Sequence, residues 1–230
     1  MFEWGARRRA RKLLAALAYE AKVATFGPSG RGVVSGRDLT PDGANETAKL
    51  LFDQGDRKTA VALWRLSAEC GDAAAAANML IECCADGRFD EALGWWRQAT
   101  RKRLKIPPHE PGLRLRSMGP ERAGAAEGWW RITAGKLSDD RSCEYLGIAL
   151  RERGEEEEAG RWLRQGAERG DAACARELAA LAILRMERET DPVKRAVAAQ
   201  EALQWTRRAA SGGDQRAQVM LNSLDAGSES

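Results

Sequence analysis

Small and bulky apolar residues recur along this chain at a helical stride, and the same phrase returns five times. Ala60, Ala92, Ala126, Ala159 and Ala202 open it, at spacings of 32, 34, 33 and 43 residues. Three residues on stand Leu63, Trp95, Trp129, Trp162 and Trp205, and four residues on stand Trp64, Trp96, Trp130, Leu163 and Thr206. Eight residues on come Ala68, Thr100, Ala134, Ala167 and Ala210. Positions i, i+4 and i+8 share one face of a helix and i+3 lies beside them. Each phrase therefore predicts a helix whose small residues admit a neighbouring helix, with indoles filling the space beside it. The phase with Ala makes the Trp columns core rather than a platform for bases or sugars, since a buried Trp removes about 150–250 Å² from water.

Punctuation between the phrases predicts a second helix in each unit. Gly55, Gly87 and Gly154 stand five residues before their Ala anchors, where each can close an earlier helix. Gly71-Asp72, Gly170-Asp171 and Gly213-Asp214 follow the second helix. The Gly can end it, and the Asp can cap the next helix through that helix's free N–H groups. Helix pairs with a period near 34 residues mark an α-solenoid. The predicted map has a basic amphipathic helix within 1–26, a linker over 27–43 and a repeat domain over 44–225. Its helix pairs cover about 44–70, 73–102, 113–136, 139–169 and 172–211, followed by a closing helix. Residues 226–230 read as a frayed tail. The middle repeat, near 103–136, is degenerate. Its first helix is missing from the pattern, replaced by Ile106-Pro107-Pro108-His109-Glu110-Pro111-Gly112, where three prolines withhold backbone donors. The fifth repeat carries about ten extra residues around Arg188 to Arg195, with Asp191-Pro192 as a turn or helix start.

These residues carry a family resemblance. The run from Gly87 through Ala92, Trp95 and Trp96 to Ala99 resembles the second helix of a tetratricopeptide repeat. Glu144-Tyr145-Leu146-Gly147 resembles a first helix of that family, and the turn at Ala167-Glu168-Arg169-Gly170-Asp171 resembles its Sel1-like branch. The resemblance spans about residues 44–224. It implies an all-α superhelix of about five antiparallel helix pairs, whose first helices line a concave groove. It also implies non-enzymatic adaptor work on a protein or peptide partner, without a cofactor. Carried onto this chain, the groove positions are Asn45, Lys49, Arg141, Glu144 and Arg176, while Ala74, Ala77 and Ile81 make the second repeat's share apolar. The Lys/Asn arrangement with which some members hold a peptide carboxylate is not matched.

Composition narrows the chemistry. Eight Trp against six Phe and Tyr together fits a copied Trp position, and seven prolines in 230 residues favour helix over strand. The abundance of Ala, Arg and Gly resembles proteins of high-GC bacteria. Charge lies in islands. Residues 1–24 carry six Lys or Arg against two Glu, residues 97–122 carry eight against two, and the remainder is acidic. The basic segments 7–12 and 101–105 support an alternative reading as a nucleic-acid- or membrane-surface-associated factor, though no recognition motif accompanies them. No apolar run is long enough to span a membrane, and the Arg cluster before Leu13 only superficially resembles an export signal. Five Cys without a CxxC pattern fit a reducing cytoplasm. Cys83, Cys84, Cys143 and Cys174 read as small buried hydrophobes. His109 is the only histidine and reads as an exposed loop residue, so no catalytic pair is predicted elsewhere and no metal site is evident. Gly27 to Gly32 reads as linker, because it lacks the ending of a phosphate-binding loop. Glu155 to Glu158 read as the acidic first turn of a second helix.

Overall fold

The computed structural model describes residue 16, residues 40–101 and residues 104–228, with side chains as far as 222. The basic segment 7–12 and the rest of the predicted N-terminal helix and linker before residue 40 lie outside the described residues, Ala16 apart, as do Lys102 and Arg103. Among the described residues every regular element is helical, with no strand. The elements are α1 (Pro41–Asp53), α2 (Arg57–Glu69), α3 (Ala73–Ala85), α4 (Phe89–Arg101), α5 (Glu110–Ser117), a 3-10 turn (Pro120–Arg122), α6 (Ala123–Lys136), α7 (Asp140–Glu152), α8 (Glu156–Glu168), α9 (Ala172–Arg188), α10 (Pro192–Ser211) and α11 (Gln215–Ser228). They fall into two compact units. The N-terminal unit comprises residues 1–107 and 114–125, and the C-terminal unit comprises 108–113 and 126–230.

The turns follow the sequence closely. Gly71 and Gly170 take φ of 101° and 100°, where a side chain would be strained, and each ends a helix. Asp72 then accepts from Ala74 N at 2.9 Å, Asp171 from Cys174 N at 2.7 Å and Asp214 from Ala217 N at 2.9 Å. The anchor Ala residues 60, 92, 126 and 159 are wholly buried. In the i+4 column Trp130 and Leu163 are wholly buried and Trp64 nearly so, while Trp96 is half-buried. The i+3 column divides. Leu63 and Trp129 are fully buried, while Trp95, Trp162 and Trp205 are half-buried. Two of these rings sit in one repeated setting. Trp95 Nε1 donates to Glu91, which Arg65 also binds at 2.7 Å, and Trp162 Nε1 donates to Glu158, which Arg131 binds at 3.2 Å.

Four expectations need correction. The first helix begins at Pro41, inside the predicted linker, because Thr40 caps it by accepting from Gly43 N and Pro41 suits the first helical position. The last helix runs to Ser228 rather than stopping at 225. The third repeat does have a first helix, the eight-residue α5, because Pro111 stands in its first turn, where no helical N–H bond is lost. His109 is not an exposed loop residue. Its side chain is 20% exposed, and its ring lies 5.6 Å from that of Tyr145, which stacks in turn on Trp130. The proline segment holds this cluster through its carbonyls, with Trp129 Nε1 donating to Pro108 O at 2.7 Å and Trp130 Nε1 to His109 O at 3.1 Å. The extra residues of the fifth repeat lengthen its helices to 17 and 20 residues, against 13 in the fourth.

Candidate interaction surface

In the N-terminal unit the first helices are α1 and α3. Asn45, the fifth residue of α1, is buried and accepts from Asn78 Nδ2 of α3 at 3.0 Å. Lys49 lies one turn on, exposed, and pairs with Glu46 at 2.8 Å. Arg57 of α2 crosses to α3, donating to Glu82 and to Asp86 at 2.7 Å each. Beside these ties lies a cleft of about 270 Å³, lined by Lys49, Phe52, Trp64, Asn78, Ile81, Glu82, Arg114 and Met118 together with Asp53.

In the C-terminal unit the corresponding positions on α7 and α9 carry charge. Arg176 sits at the fifth place of α9 and donates to Glu144 of α7 at 3.2 Å, to Asp214 ahead of α11 at 2.8 Å and to its neighbour Glu177 at 3.1 Å. Arg141 closes on Glu144 at 2.7 Å, and Arg151 on Glu177 at 2.7 Å. Three arginines thus meet three carboxylates. Burial opposes the charge on Arg176, and its bonds to Glu177 and Asp214 outweigh it, raising its pKa. Burial likewise opposes the Asp214 carboxylate, but the Ala217 N–H and Arg176 hold it below the ordinary value. Second helices are tied in a similar way, as where Arg153 donates at 2.7 Å to Glu127, a carboxylate only 3% exposed.

Helices of 13 residues pair through a glycine turn, as α7 does with α8 about Gly154, and Asp171 caps the helix that follows that pair. No family model matches the chain, and no curated protein matches it. Two solved structures are similar to it. One is a Sel1 repeat protein from Oxalobacter formigenes, 20% identical over 90% of this chain and 88% of that one, with a TM-score of 0.38. The other is YrrB, described as a TPR protein with an unusual peptide-binding site, 17% identical over 79% of this chain and 91% of that one, with a TM-score of 0.41.

The groove residues carried over from the Sel1-like and tetratricopeptide resemblance fall into two groups. Arg141, Glu144 and Arg176 come together in one ion-pair network. Asn45 and Lys49 stand together on α1, the first inward in its bond to Asn78 and the second outward. Of the apolar positions, Ile81 is buried beside the cleft, Ala77 is half-buried and Ala74 is exposed. The sequence reading missed Trp64 and Arg114 as part of this surface. Trp64 belonged to the core column, and Arg114 falls in the repeat whose first helix the pattern did not show.

The other candidates are placed as follows. Cys83, Cys84, Cys143 and Cys174 are buried thiols, as the helical pattern predicts, and no cysteine is in a disulfide. Burial pushes the Cys83 thiol up to about 11, so it stays protonated at neutral pH. His109 Nδ1 lies 3.5 Å from Asp139 Oδ2. That oxygen is engaged as the α7 cap, accepting from Ser142 N at 2.9 Å and Ser142 Oγ at 2.6 Å. Asp139 thus caps α7, and the ring contacts of His109, Tyr145 and Trp130 join the third repeat to the fourth. Glu156 to Glu158 occupy the first turn of α8, where their charge suits the helix dipole. In the basic segment 101–105, Arg101 ends α4 and is exposed, as is Lys105. Among the described residues no helix is long and apolar enough to cross a membrane, and no three His, Cys, Asp or Glu side chains are grouped to hold a metal ion.

Proposed function

We propose that this protein is a non-enzymatic interaction scaffold of the cytoplasm, which binds a protein or peptide partner on the first-helix face of its repeats. The observation that supports this reading is the N-terminal cleft. It is framed by the first helices α1 and α3 and by Arg114 and Met118, and it carries an exposed cation and apolar surface beside a well-packed core. Leu50 and Met118, 50% and 44% exposed, extend the apolar surface available to a partner in that unit. Such faces bind by burying a few anchors in a preformed cleft with polar groups at the rim. Asn45 serves the surface by holding α1 and α3 in register, and Lys49 serves it directly at the rim. Arg141, Glu144 and Arg176 hold the first helices of the C-terminal unit together, with Arg141 the most accessible to a partner.

Crosslinking in cells with a photoreactive amino acid at Lys49 or Leu50, followed by mass spectrometry, tests the reading. One protein should be captured from these positions and not from a control position such as Arg161 on α8. Equal capture from both, or tight binding of a small metabolite in place of any protein, would overturn it.

A further inference from the structure

Each unit opens between successive first helices, and in each a second-helix residue of the same repeat column reaches the opening. In the N-terminal unit that residue is Trp64, and in the C-terminal unit, between α9 and α11, it is Thr206. The column reads Trp64, Trp96, Trp130, Leu163 and Thr206, so the fifth repeat places its smallest member where the others have bulk. Thr206 is 2% exposed, and beside it lies a cavity of about 180 Å³. Ala179, Ala180 and Ile183 of α9 and Ala217 and Met220 of α11 form its walls.

These walls select hydrocarbon. The Thr206 hydroxyl spends its hydrogen on Ala202 O at 2.8 Å. Arg176, also at the cavity, directs its nitrogens to Glu177, Asp214 and Glu144, and the three carboxylates offset its charge. An inserted polar group would give up its water for little return, whereas burial of apolar surface is favourable. A cavity of about 180 Å³ lies below the usual range for small-molecule sites, and suits one side chain. Charge then selects what stands beside that side chain. Arg216 lies at the cavity and is exposed, no carboxylate lines the cavity, and among the described residues none pairs with Arg216. An acidic neighbour complements it.

We propose that the cavity between α9 and α11 receives an aliphatic side chain of a partner protein, with an adjacent aspartate or glutamate of that partner paired to Arg216. This rests on the reading that the first-helix face meets a protein, and it adds an anchor point in the C-terminal unit. It explains why the column ends in threonine: the bulk that the other repeats carry themselves arrives here with the partner.

The test uses the full chain with its methionine methyl groups labelled with 13C, the Met220 signal being assigned by its loss in Met220→Leu. The probe is the blocked dipeptide N-acetyl-glutamyl-leucine amide, and the controls are the corresponding glutaminyl-leucine and glutamyl-serine amides. The Met220 methyl signal should shift and saturate with glutamyl-leucine at millimolar concentration and stay in place with glutamyl-serine. Glutaminyl-leucine should bind about twofold to fivefold more weakly, as the loss of one exposed ion pair predicts, and Arg216→Gln should erase that difference. Thr206→Leu restores bulk to the column and should abolish the shift. Ala180→Leu, which fills the cavity from a half-buried wall position, should do the same and serves if Thr206→Leu does not fold. No movement of Met220 with glutamyl-leucine, an equal movement with glutamyl-serine, or glutaminyl-leucine binding as tightly as glutamyl-leucine would each overturn the inference. Capture of a partner at Lys49, with Met220 unmoved by glutamyl-leucine, would leave the scaffold reading standing and remove this one.

Discussion

The first-helix faces of the two units use the same register for opposite ends. In the N-terminal unit the fifth residue of α1 is joined to α3 by a single neutral bond, Asn45 to Asn78 at 3.0 Å. In the C-terminal unit the fifth residues of α7 and α9, Glu144 and Arg176, meet in a network with Arg141, Arg151, Glu177 and Asp214. A neutral pair holds the helices and leaves the neighbouring surface uncommitted, so a cleft can persist beside it. The charged network consumes its own binding capacity, because each buried carboxylate needs a cation to offset the cost of burial. A polar residue at a groove position is thus not by itself a ligand contact. What decides is whether the next repeat already supplies its partner.

The largest way to break this contrast is Arg176→Met. It keeps a flexible apolar stem and removes the charge that Glu144 and Asp214 share, with those side chains only 7% and 9% exposed. Glu144 keeps its bond to Arg141, while Asp214 is left without the cation it pairs with, and the expected loss is about 3 kcal/mol. Urea unfolding at neutral pH measures it. A loss within error of zero would mean that the network is solvated and free for a partner. The equivalent change in the N-terminal unit, Asn45→Ala, removes one neutral hydrogen bond and should cost about 1 kcal/mol. A larger cost for Asn45 than for Arg176 would reverse the comparison. Asn45→Ala should also disturb the cleft, because Asn78, its bonding partner, lines it.

The sequence made one half of this legible and hid the other. Helix pairs, caps and the buried columns follow from local rules, because a glycine at positive φ and an aspartate cap act within a few residues of themselves. Gly170 and Asp171 show this, and so do Trp129 and Trp130, whose phase with Ala126 places them in the core. The short α5 was hidden because its first turn contains a proline and the segment is eight residues long, too short for a periodic signal. Groove residues were legible as positions and not as roles. That Arg176 faces Glu144 depends on the pairing of residues 32 apart, and nothing local distinguishes an arginine held by its neighbour from one held out to a partner. Trp64 failed to announce itself for the same reason. Its column says that it is buried, and only the surrounding side chains show that its N–H lacks an acceptor.

The smallest expected effect separates the two ties by pH. Asp214 ionises below its ordinary value of 3.8 in the folded chain, because the Ala217 N–H and the Arg176 charge outweigh the opposing effect of burial. A carboxylate depressed on folding contributes stability that is fully present above its unfolded value and is lost as pH falls through its folded value. The contribution of Asp214 is therefore whole at pH 5 and disappears below 3.8. Asp214→Asn should destabilise the protein at pH 5 and much less at pH 2.5, with urea midpoints of the two proteins converging across that interval. The Asn45–Asn78 bond contains no titrating group, so the loss caused by Asn45→Ala should stay the same over the same range. Asp86 and Glu91 in the N-terminal unit are also depressed. Both proteins will therefore weaken in acid, and only the difference between each variant and the parent carries the comparison. Convergence for Asp214→Asn with a constant offset for Asn45→Ala assigns the ionic tie to one face and the neutral tie to the other. A constant offset for both would mean that Asp214 acts as a helix cap alone, with its charge solvated and Arg176 available to a partner.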